Sequence, residues 1–477
     1  ESPATYLVER HRREIFPLLR ERRLFAGVEN FVLYDFFMAD GSVDENVFAY
    51  SNRLGDRRAL ILYHNRYAET QGWVRSSVGF AVKDENDEKQ LMQKTLTEGM
   101  GLPTGNEQFV IFRDVISDRE YIRNAQTLDE RGLYAELHAY QVHVFSEFRV
   151  VEDTTWHRYS ELCAQLNGQG TPDIEEALKS LYLEPVHEPY QALIDPLMLK
   201  TLADQMVTTA LKQVDAQVLD QVEVGMRALL DAIQDTLPHV AEQALGNEAD
   251  IIRKTTNELA SILQLPVTLD ALQSEAKGKI TLAMLDYVSQ AWKPQDDAFW
   301  GTLMAWLFTH NLGLLIDADK GETVSRRWFD AWLLDTVLRD TLDAMGVGQA
   351  DAEQAVRAVT VLLSARQWGP LDIWRDKDPV DALSRALSDQ DVQTYLRVHQ
   401  YQGVRWFHKE SFESLLEWRL ALAAIELTSD SAADAETLAE SLTAVYTTIQ
   451  ALLDAEVQSD YQVEKLLEAS RLGRRDV

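Results

Sequence analysis

Short segments in which apolar and polar residues alternate occupy the chain between residues 30 and 150. They are rich in aromatic and β-branched residues, and turns rich in Gly, Asp and Asn separate them. The segments run over 30–37, 47–52, 59–65, 72–82, 109–115 and 134–150. They predict roughly six to eight strands and favour an antiparallel β-sandwich or barrel over residues 25–155. A polar stretch, 84–101, interrupts the strands and is predicted to be an inserted helix.

The hydrophobic period changes near residue 155, and from there apolar residues recur at every third or fourth position. The segment TPDIEEAL places Thr171 as a helix N-cap and Pro172 at the first helical position. About ten helical runs follow, with few strand signals between them. They predict one large all-α domain over 156–477, or two smaller subdomains. The predicted fold class is therefore α+β and multidomain, with the antiparallel β-sandwich first and the helical domain second.

Residues 1–24 form a separate opening segment, in which Arg and Glu lie between apolar residues at helical spacing. This spacing predicts a helix that Pro17 bends or ends. Charge and tryptophan content then change along the chain. Residues 1–150 carry a net charge of −5 and a single tryptophan, Trp73, whereas the remainder carries −26 and ten tryptophans. The composition therefore indicates two physically different parts.

The chain is strongly acidic, with 46 Lys and Arg against 77 Asp and Glu. Phosphate contacts need clustered Lys and Arg, so the composition argues against nucleic acid as a partner and disfavours anionic membrane surfaces. The uncharged run 299–316 is at the lower limit of a membrane span, but its polar residues favour a buried helix. We expect a cytoplasmic protein. Because the first residue is Glu1, we also expect the chain to begin inside a longer polypeptide.

Motifs for phosphate, dinucleotide, zinc-protease, EF-hand and serine-hydrolase sites are missing from the sequence. The single cysteine, Cys163, excludes an intramolecular disulfide and a cysteine-rich metal site. Ten histidines are scattered along the chain, and two of them, His138 and His143, are expected on opposite faces of a strand. The sequence therefore predicts no cofactor, no metal site and no catalytic residue.

Four residues make the best candidate for a carbohydrate-binding site: Trp368, Trp374, Arg405 and Trp406. An indole ring offers a flat apolar face and a polar N–H, which together suit a sugar ring. Trp368 and Trp374 flank Gly369 and Pro370, so we expect them on a loop. Tryptophans at helical spacing more often belong to a core, and this interpretation stays open for the cluster.

Three stretches of the first 150 residues resemble the end of an α-amylase-family protein (glycoside hydrolase family 13). The first, VERHRREIFPLLRERRLFAGV (8–28), is similar to the last helix of the catalytic barrel and the exit from it. The second, NVFAYSNRLGDRRALILYHNRY (46–67), is similar to two strands of the β-domain that follows. The third, GLYAELHAYQVHVFSEFRV (132–150), is similar to its closing strands. A later stretch, HQYQGVRWFHKESFESLLEWRL (399–420), resembles the helical extension of long bacterial members.

The resemblance implies the C-terminal region of a large bacterial member of this family. Residues 1–24 would be the end of the barrel, 25–155 the β-sandwich and 156–477 the helical extension. The family's catalytic Asp, Glu and Asp lie on the barrel, and their motifs do not occur here; the nearest string is THNLG (309–313). No catalytic residue is carried over. The resemblance implies a non-catalytic accessory role in α-glucan metabolism, with the barrel of the same polypeptide and α-glucan as partners.

Two other hypotheses stay open. A stand-alone scaffold that binds carbohydrate or protein would have a polar surface at residues 6–30, whereas an accessory region would have an apolar docking face there. An enzyme with its active site in the helical half would build a deep pocket from nearby side chains. Its residues would be Trp368, Asp372, Trp374, Asp376 and Arg405.

Overall fold

The chain divides into two compact units, Glu1–Tyr182 and Leu183–Val477. The structure is a computed structural model. It describes residues 8, 12, 16–83, 89–154, 157–206, 214–276, 278–293, 296–368, 371, 374, 379–429 and 434–472. Strands and helices are both abundant, so the α+β class predicted from the sequence is confirmed.

The first unit is built on an antiparallel sheet that two short helices precede. The helices are α1 (Phe16–Arg20) and α2 (Arg22–Ala26). The strands are β1 (Val32–Phe37), β2 (Val47–Leu54), β3 (Arg57–His64), β4 (Thr70–Ser77), β5 (Phe80–Lys83), β6 (Lys89–Met92), β7 (Gln108–Asp114), β8 (Arg119–Asn124), β9 (Leu133–Leu137) and β10 (Val142–Glu152). Eight of them form one sheet in the order β8-β7-β10-β3-β2-β1-β4-β9, and β5 pairs with β6 alone.

One face of the large sheet surrounds a hydrophobic core. Alternate residues of each strand point to this face, and strands from across the sheet contribute to a single buried cluster, including Phe36, Leu62, Val74, Phe112 and Phe145. The sheet therefore curls around the cluster. Its hydrogen bonding is continuous over all eight strands. The division into two packed sheets that defines a sandwich stays a prediction.

The stretch predicted as an inserted helix, 84–101, is only partly helical. Residues 84–88 lie outside the described residues, and Lys89–Met92 is the strand β6. A short helix, α3 (Leu96–Met100), follows. It begins at a capping box in which the Thr95 hydroxyl accepts from the Glu98 N–H and the Glu98 carboxylate accepts from the Thr95 N–H. A second short helix, α4 (Ala125–Arg131), lies between β8 and β9 and contributes to the same core.

The opposite face of β7 and β8 is covered by helices that the sequence analysis assigned to the helical domain. These are α5 (Tyr159–Leu166) and the first part of α6 (Ile174–Leu193). Ile174, Leu178 and Leu181 share one side of α6 and belong to a buried cluster with strand residues. The first compact unit consequently continues to Tyr182, past the predicted boundary at residue 155.

The start of α6 also differs from its prediction. Thr171 was expected to cap the helix, but it instead exchanges backbone hydrogen bonds with Glu120 at the edge of the sheet. The capping side chain is Asp173, whose carboxylate accepts from the Glu176 N–H at 3.0 Å. The helix therefore begins two residues later, and the extended backbone at Thr171 lines the outer edge of β8.

The second unit is almost entirely helical. Its α-helices after α6 are α7 (Pro196–Asp204), α8 (Ala216–Thr236), α9 (Pro238–Ala241), α10 (Glu248–Glu275), α11 (Lys279–Ala291), α12 (Asp297–Thr309), α13 (Gly321–Ala331), α14 (Leu334–Ala344), α15 (Gln349–Leu362), α16 (Pro379–Ser388), α17 (Gln390–Tyr395), α18 (Lys409–Ser429), α19 (Ala435–Gln458) and α20 (Val463–Leu472). Two 3₁₀ turns, Leu312–Leu315 and Ala365–Trp368, and a hairpin of β11 (His399–Tyr401) and β12 (Val404–Trp406) complete it.

The uncharged run 299–316 is the central helix of this unit. In α12 every residue from Trp300 to Thr309 is buried, because other helices of the unit surround it. This confirms the buried helix that the sequence favoured. Within the described ranges, none of the helices combines the length and the apolarity needed to cross a membrane.

Candidate functional site

The structure does not gather the four predicted carbohydrate-binding residues around one opening. The indoles of Trp368 and Trp374 are each about 3 % exposed, so neither offers an open stacking face in this conformation. Arg405 lies on β12, where its Nε donates to Glu464 at 2.7 Å. Trp406, at the end of the same strand, is half-buried and pairs with His399. Asp372 and Asp376 lie outside the described residues.

A cavity of about 270 Å³ lies elsewhere in the second unit, between α10, α12 and α18. The apolar residues of its lining include Leu362, Leu422 and Ile425. The lining also carries ionisable groups from three helices and the turn after α12: Lys254, Glu258, His310, Glu322, Arg419 and Glu426. Such a mixture of apolar side chains and convergent polar groups is typical of small-molecule sites.

A buried pair of polar side chains belongs to the lining of this cavity. His310 Nε2 lies 3.0 Å from Glu258 Oε2, and both side chains are at most 10 % exposed. Asn311 adds a hydrogen bond from its Nδ2 to the same carboxylate oxygen at 2.9 Å. Both bonds end on Oε2, so Oε1 is the oxygen of Glu258 that a ligand in the cavity could use.

The other ring nitrogen of His310, Nδ1, lies against two backbone carbonyl oxygens. Nδ1 lies 3.2 Å from the carbonyl oxygen of Trp306 and 3.1 Å from that of Leu307. A carbonyl oxygen can only accept, so Nδ1 carries a proton. Nε2 faces a carboxylate and is satisfied when it donates as well. The ring is therefore held between two backbone carbonyl groups on one side and the Glu258 carboxylate on the other.

Electrostatics at Glu258 agree with this arrangement. Burial by itself raises the pKa of the Glu258 carboxyl. The charge of His310, the hydrogen bonds from His310 and Asn311, and the charge of Lys254 together outweigh burial and hold the pKa below its usual range. Glu258 is consequently ionised at neutral pH in spite of its burial.

Backbone and side-chain contacts hold the pair in place. The Ser325 hydroxyl donates to the His310 carbonyl oxygen at 2.9 Å and accepts from the Gly313 N–H at 2.8 Å. The Trp306 ring stacks on the His310 ring, with centroids 4.2 Å apart and planes 10° from parallel. The turn that follows α12 is thus fixed from both sides, and Trp306 brings an aromatic surface into the lining of the cavity.

One of the predicted residues lies directly behind this cavity. The Arg419 guanidinium, which lines the cavity, is 5.3 Å from the centre of the Trp374 ring. A cation over an indole face is attracted by the ring's negative surface. The backbone carbonyl of Trp374 also accepts from the Thr448 hydroxyl at 2.8 Å. Trp374 therefore supports a residue of the cavity and does not line it.

Sequence reasoning missed this site, although one signal for it was visible. His310 and Asn311 are polar residues inside the uncharged run 299–316, in the string THNLG that was compared with a family motif. A polar residue in an otherwise buried helix needs a buried partner. That partner, Glu258, is 52 positions earlier and on another helix, where nothing in the local pattern distinguishes it from other acidic residues.

The first unit carries a second candidate site, an exposed apolar face. Phe16 and Leu19 of α1 are each about 47 % exposed, and Val28 is about 84 % exposed. Two further exposed aromatic residues are Phe31, directly before β1, and Phe48 on the outward side of β2, each about 47 % exposed. We call these five residues the exposed apolar face.

Aromatic rings extend this face across the sheet. The ring centroids of Phe31 and Tyr50 lie 5.7 Å apart, and Phe48 stacks on Tyr63 with the centroids 6.4 Å apart. Phe48 and Tyr63 are directly opposite each other in the pairing of β2 with β3. Helix α2 covers the neighbouring part of this side of the sheet through Leu24. An aromatic surface of this kind suits packing against another folded body.

Comparison of the chain with models of protein families, with curated proteins and with solved structures gave no match.

Proposed function

We propose that this chain is a non-catalytic accessory region of an α-amylase-like glycoside hydrolase and acts in α-glucan metabolism. In this proposal the first unit packs on a catalytic barrel of the same parent polypeptide, and the helical unit supports substrate positioning or assembly. The first unit would be the β-sandwich domain that follows the barrel in that family. The observation that carries the proposal is the exposed apolar face.

The position of that face supports a docking role. It begins on α1, in the stretch that resembles the end of a barrel helix, and continues onto the sheet. Apolar side chains that are exposed together cost free energy in water, about 25 cal/mol for each Å² left uncovered. A partner that covers them recovers this free energy. A polar and internally satisfied surface, as a stand-alone scaffold would need, does not fit Phe16, Leu19 and Val28.

The size of the native polypeptide tests the proposal directly. An antibody raised against this chain should detect, in the source cell, a species far larger than 54.3 kDa. The immunoprecipitated species should release products from maltooligosaccharides, whereas the 477-residue chain alone should release none. A direct translation product of 54.3 kDa would contradict the proposal and favour the stand-alone scaffold. The same antibody on fractionated cells tests the cytoplasmic location.

Turnover by the purified chain alone would support the third hypothesis, an enzyme in the helical half. The cavity around His310 and Glu258 would then be the place to look for its active site, because it holds convergent ionisable groups. If the activity persists in a Glu258→Gln variant, the active site does not depend on this carboxylate and the cavity is not its location.

A further inference from the structure

We propose that the cavity between α10, α12 and α18 binds a single neutral sugar ring. The inference names a ligand class for the helical unit. It rests on the proposed function in one respect only, which is the choice of an α-linked glucose disaccharide as the first probe.

The charges of the lining favour a ligand without net charge. Lys254 and Arg419 supply positive charges, and Glu258, Glu322 and Glu426 supply negative charges. A lining that mixes both signs in this way gives neither an anion nor a cation an unopposed attraction. A polyhydroxylated ligand suits it, because each hydroxyl can donate to a carboxylate and accept from a cation.

The distribution of polar and apolar surface favours a ring. The side chains of Leu362, Leu422 and Ile425 can contact the apolar C–H groups of a sugar, and Trp306 adds an aromatic surface. Glu258 brings a buried carboxylate whose orientation is already fixed by His310 and Asn311. A preorganised acceptor of this kind loses little entropy when a ligand hydroxyl binds to it.

The volume sets the size of the ligand. An apolar cavity of about 150 Å³ is enough to hold a benzene ring. The cavity of about 270 Å³ therefore has room for one ring with its substituents and not for an oligosaccharide. Asn257 is exposed and lines the cavity, so it marks the opening through which a second ring would project.

Calorimetric titration of the full chain with maltose tests the proposal, and cellobiose, glycine and inorganic phosphate are the comparison probes. We expect saturable binding of one maltose per chain and no binding of glycine or phosphate. The variant Trp306→Leu should weaken binding by about tenfold or more, because it removes the aromatic surface. Trp328→Leu is the matched control, since Trp328 is also buried, does not line the cavity and stacks on Trp332 with the ring centroids 4.1 Å apart.

A second pair of variants keeps the test independent of core stability. Asn257→Trp places a large side chain at the opening and should abolish binding without disturbing buried contacts. Arg253→Trp, at an exposed position on the same helix, should leave binding unchanged. If Trp306→Leu fails to fold, the comparison of Asn257→Trp with Arg253→Trp shows whether the sugar binds in this cavity.

The outcomes separate this inference from the proposed function. Binding of cellobiose without maltose keeps the sugar site and counts against a role in α-glucan metabolism. Binding of maltose by a protein whose native mass is 54.3 kDa keeps the site and overturns the accessory role. The inference is overturned if neither disaccharide binds, if glycine or phosphate binds in their place, or if binding survives Asn257→Trp.

Discussion

His310 Nε2 and Glu258 Oε2 lie 3.0 Å apart, although 52 positions separate the two residues in the sequence. Their contact joins the middle of α10 to the turn after α12. Both side chains are at most 10 % exposed, so each polar group depends on its partner. The predictions that follow begin with this pair.

Removal of one member of the pair should destabilise the helical unit. In Glu258→Gln or His310→Gln the remaining charged group is buried without its partner, which costs about 3–5 kcal/mol. The double variant should cost less than the sum of the two single variants, because it leaves no unpaired charge. Urea denaturation followed by circular dichroism at pH 7 measures this. Additive losses in the double variant would mean that the two groups do not interact.

The same pair should make stability fall in acid. The folded pKa of Glu258 is lowered, so its contribution is fully present above the unfolded pKa of about 4.3 and is lost as pH falls through the folded pKa. The difference in unfolding free energy between the parent chain and Glu258→Gln should therefore shrink between pH 6 and pH 3. A difference that stays constant over this interval would contradict the assignment of an ionised Glu258.

Glu456 should show the opposite dependence on pH. Burial, together with the neighbouring Glu413, raises its pKa to about 7. Within the described residues, its Oε1 is buried without a hydrogen-bond donor. A raised acid pKa means that stability is highest below the unfolded pKa of about 4.3 and falls as pH rises toward 7.

The variant Glu456→Gln should therefore stabilise the chain at pH 8 by up to about 3 kcal/mol and have little effect at pH 4. Glu436→Gln, at an exposed position on the same helix, is the control and should change stability little at either pH. Thermal unfolding at the two pH values measures both variants. A Glu456→Gln chain that is less stable at pH 8 would mean that the carboxylate has a partner there.

Asp114 should be the most sensitive polar residue of the first unit. Its buried carboxylate accepts from the Val144 N–H at 3.1 Å, from the Ser117 hydroxyl at 2.7 Å and from His143 Nδ1 at 2.9 Å. Asp114→Ala leaves these donors without an acceptor and should cost about 2–4 kcal/mol. Asp118→Asn, which removes an exposed charge in the same turn and keeps a residue suited to its left-handed backbone, should cost less than about 1 kcal/mol. If the variants at Asp114 and Asp118 lose equal unfolding free energy in urea denaturation, the prediction for Asp114 is wrong.

Polar substitution of the exposed apolar face should make the isolated chain less prone to associate. Phe31→Gln and Phe48→Gln together should lower the fluorescence of a hydrophobic dye and reduce self-association, with the circular dichroism spectrum unchanged. Leu197→Gln changes an exposed apolar residue of the second unit and is the control. Sedimentation velocity at several concentrations measures the association. If Leu197→Gln reduces self-association and the double variant at Phe31 and Phe48 does not, the result counts against docking at the exposed apolar face.

Local patterns predicted most strands of the first unit, but not β6 and β8. The alternation in NFVLYDFF and VFAYSN predicts β1 and β2 because each strand has one buried and one outward face, as their alternating burial confirms. The helices of the second unit follow equally well from their spacing. The end of the first compact unit at Tyr182 could not be predicted from spacing. The apolar side of α6 has the same sequence pattern whether it packs on a sheet or on other helices.

The candidate sites were harder to predict. Trp368 and Trp374 were expected on a loop because of their neighbours Gly369 and Pro370, and both indoles are buried, as the alternative of a core role would have it. The pair of His310 and Glu258 depends on the packing of two helices, which no local pattern encodes. The sequence shows His310 as a polar residue in the uncharged run 299–316. This signal indicates a site only once its partner, Glu258, is known.

The backbone contact between Thr171 and Glu120 has a consequence for how the molecule avoids aggregation. An unprotected outer strand of a sheet can pair with a second chain. Here Thr171 occupies that edge of β8, and α5 and α6 cover the apolar residues beside it. A fragment that ends at residue 155 would lose all three and expose the outer strand, whereas a fragment that ends at Tyr182 would keep Thr171, α5 and the part of α6 that packs on the sheet. The segment 157–182 thus protects the edge of the sheet from pairing with a second chain.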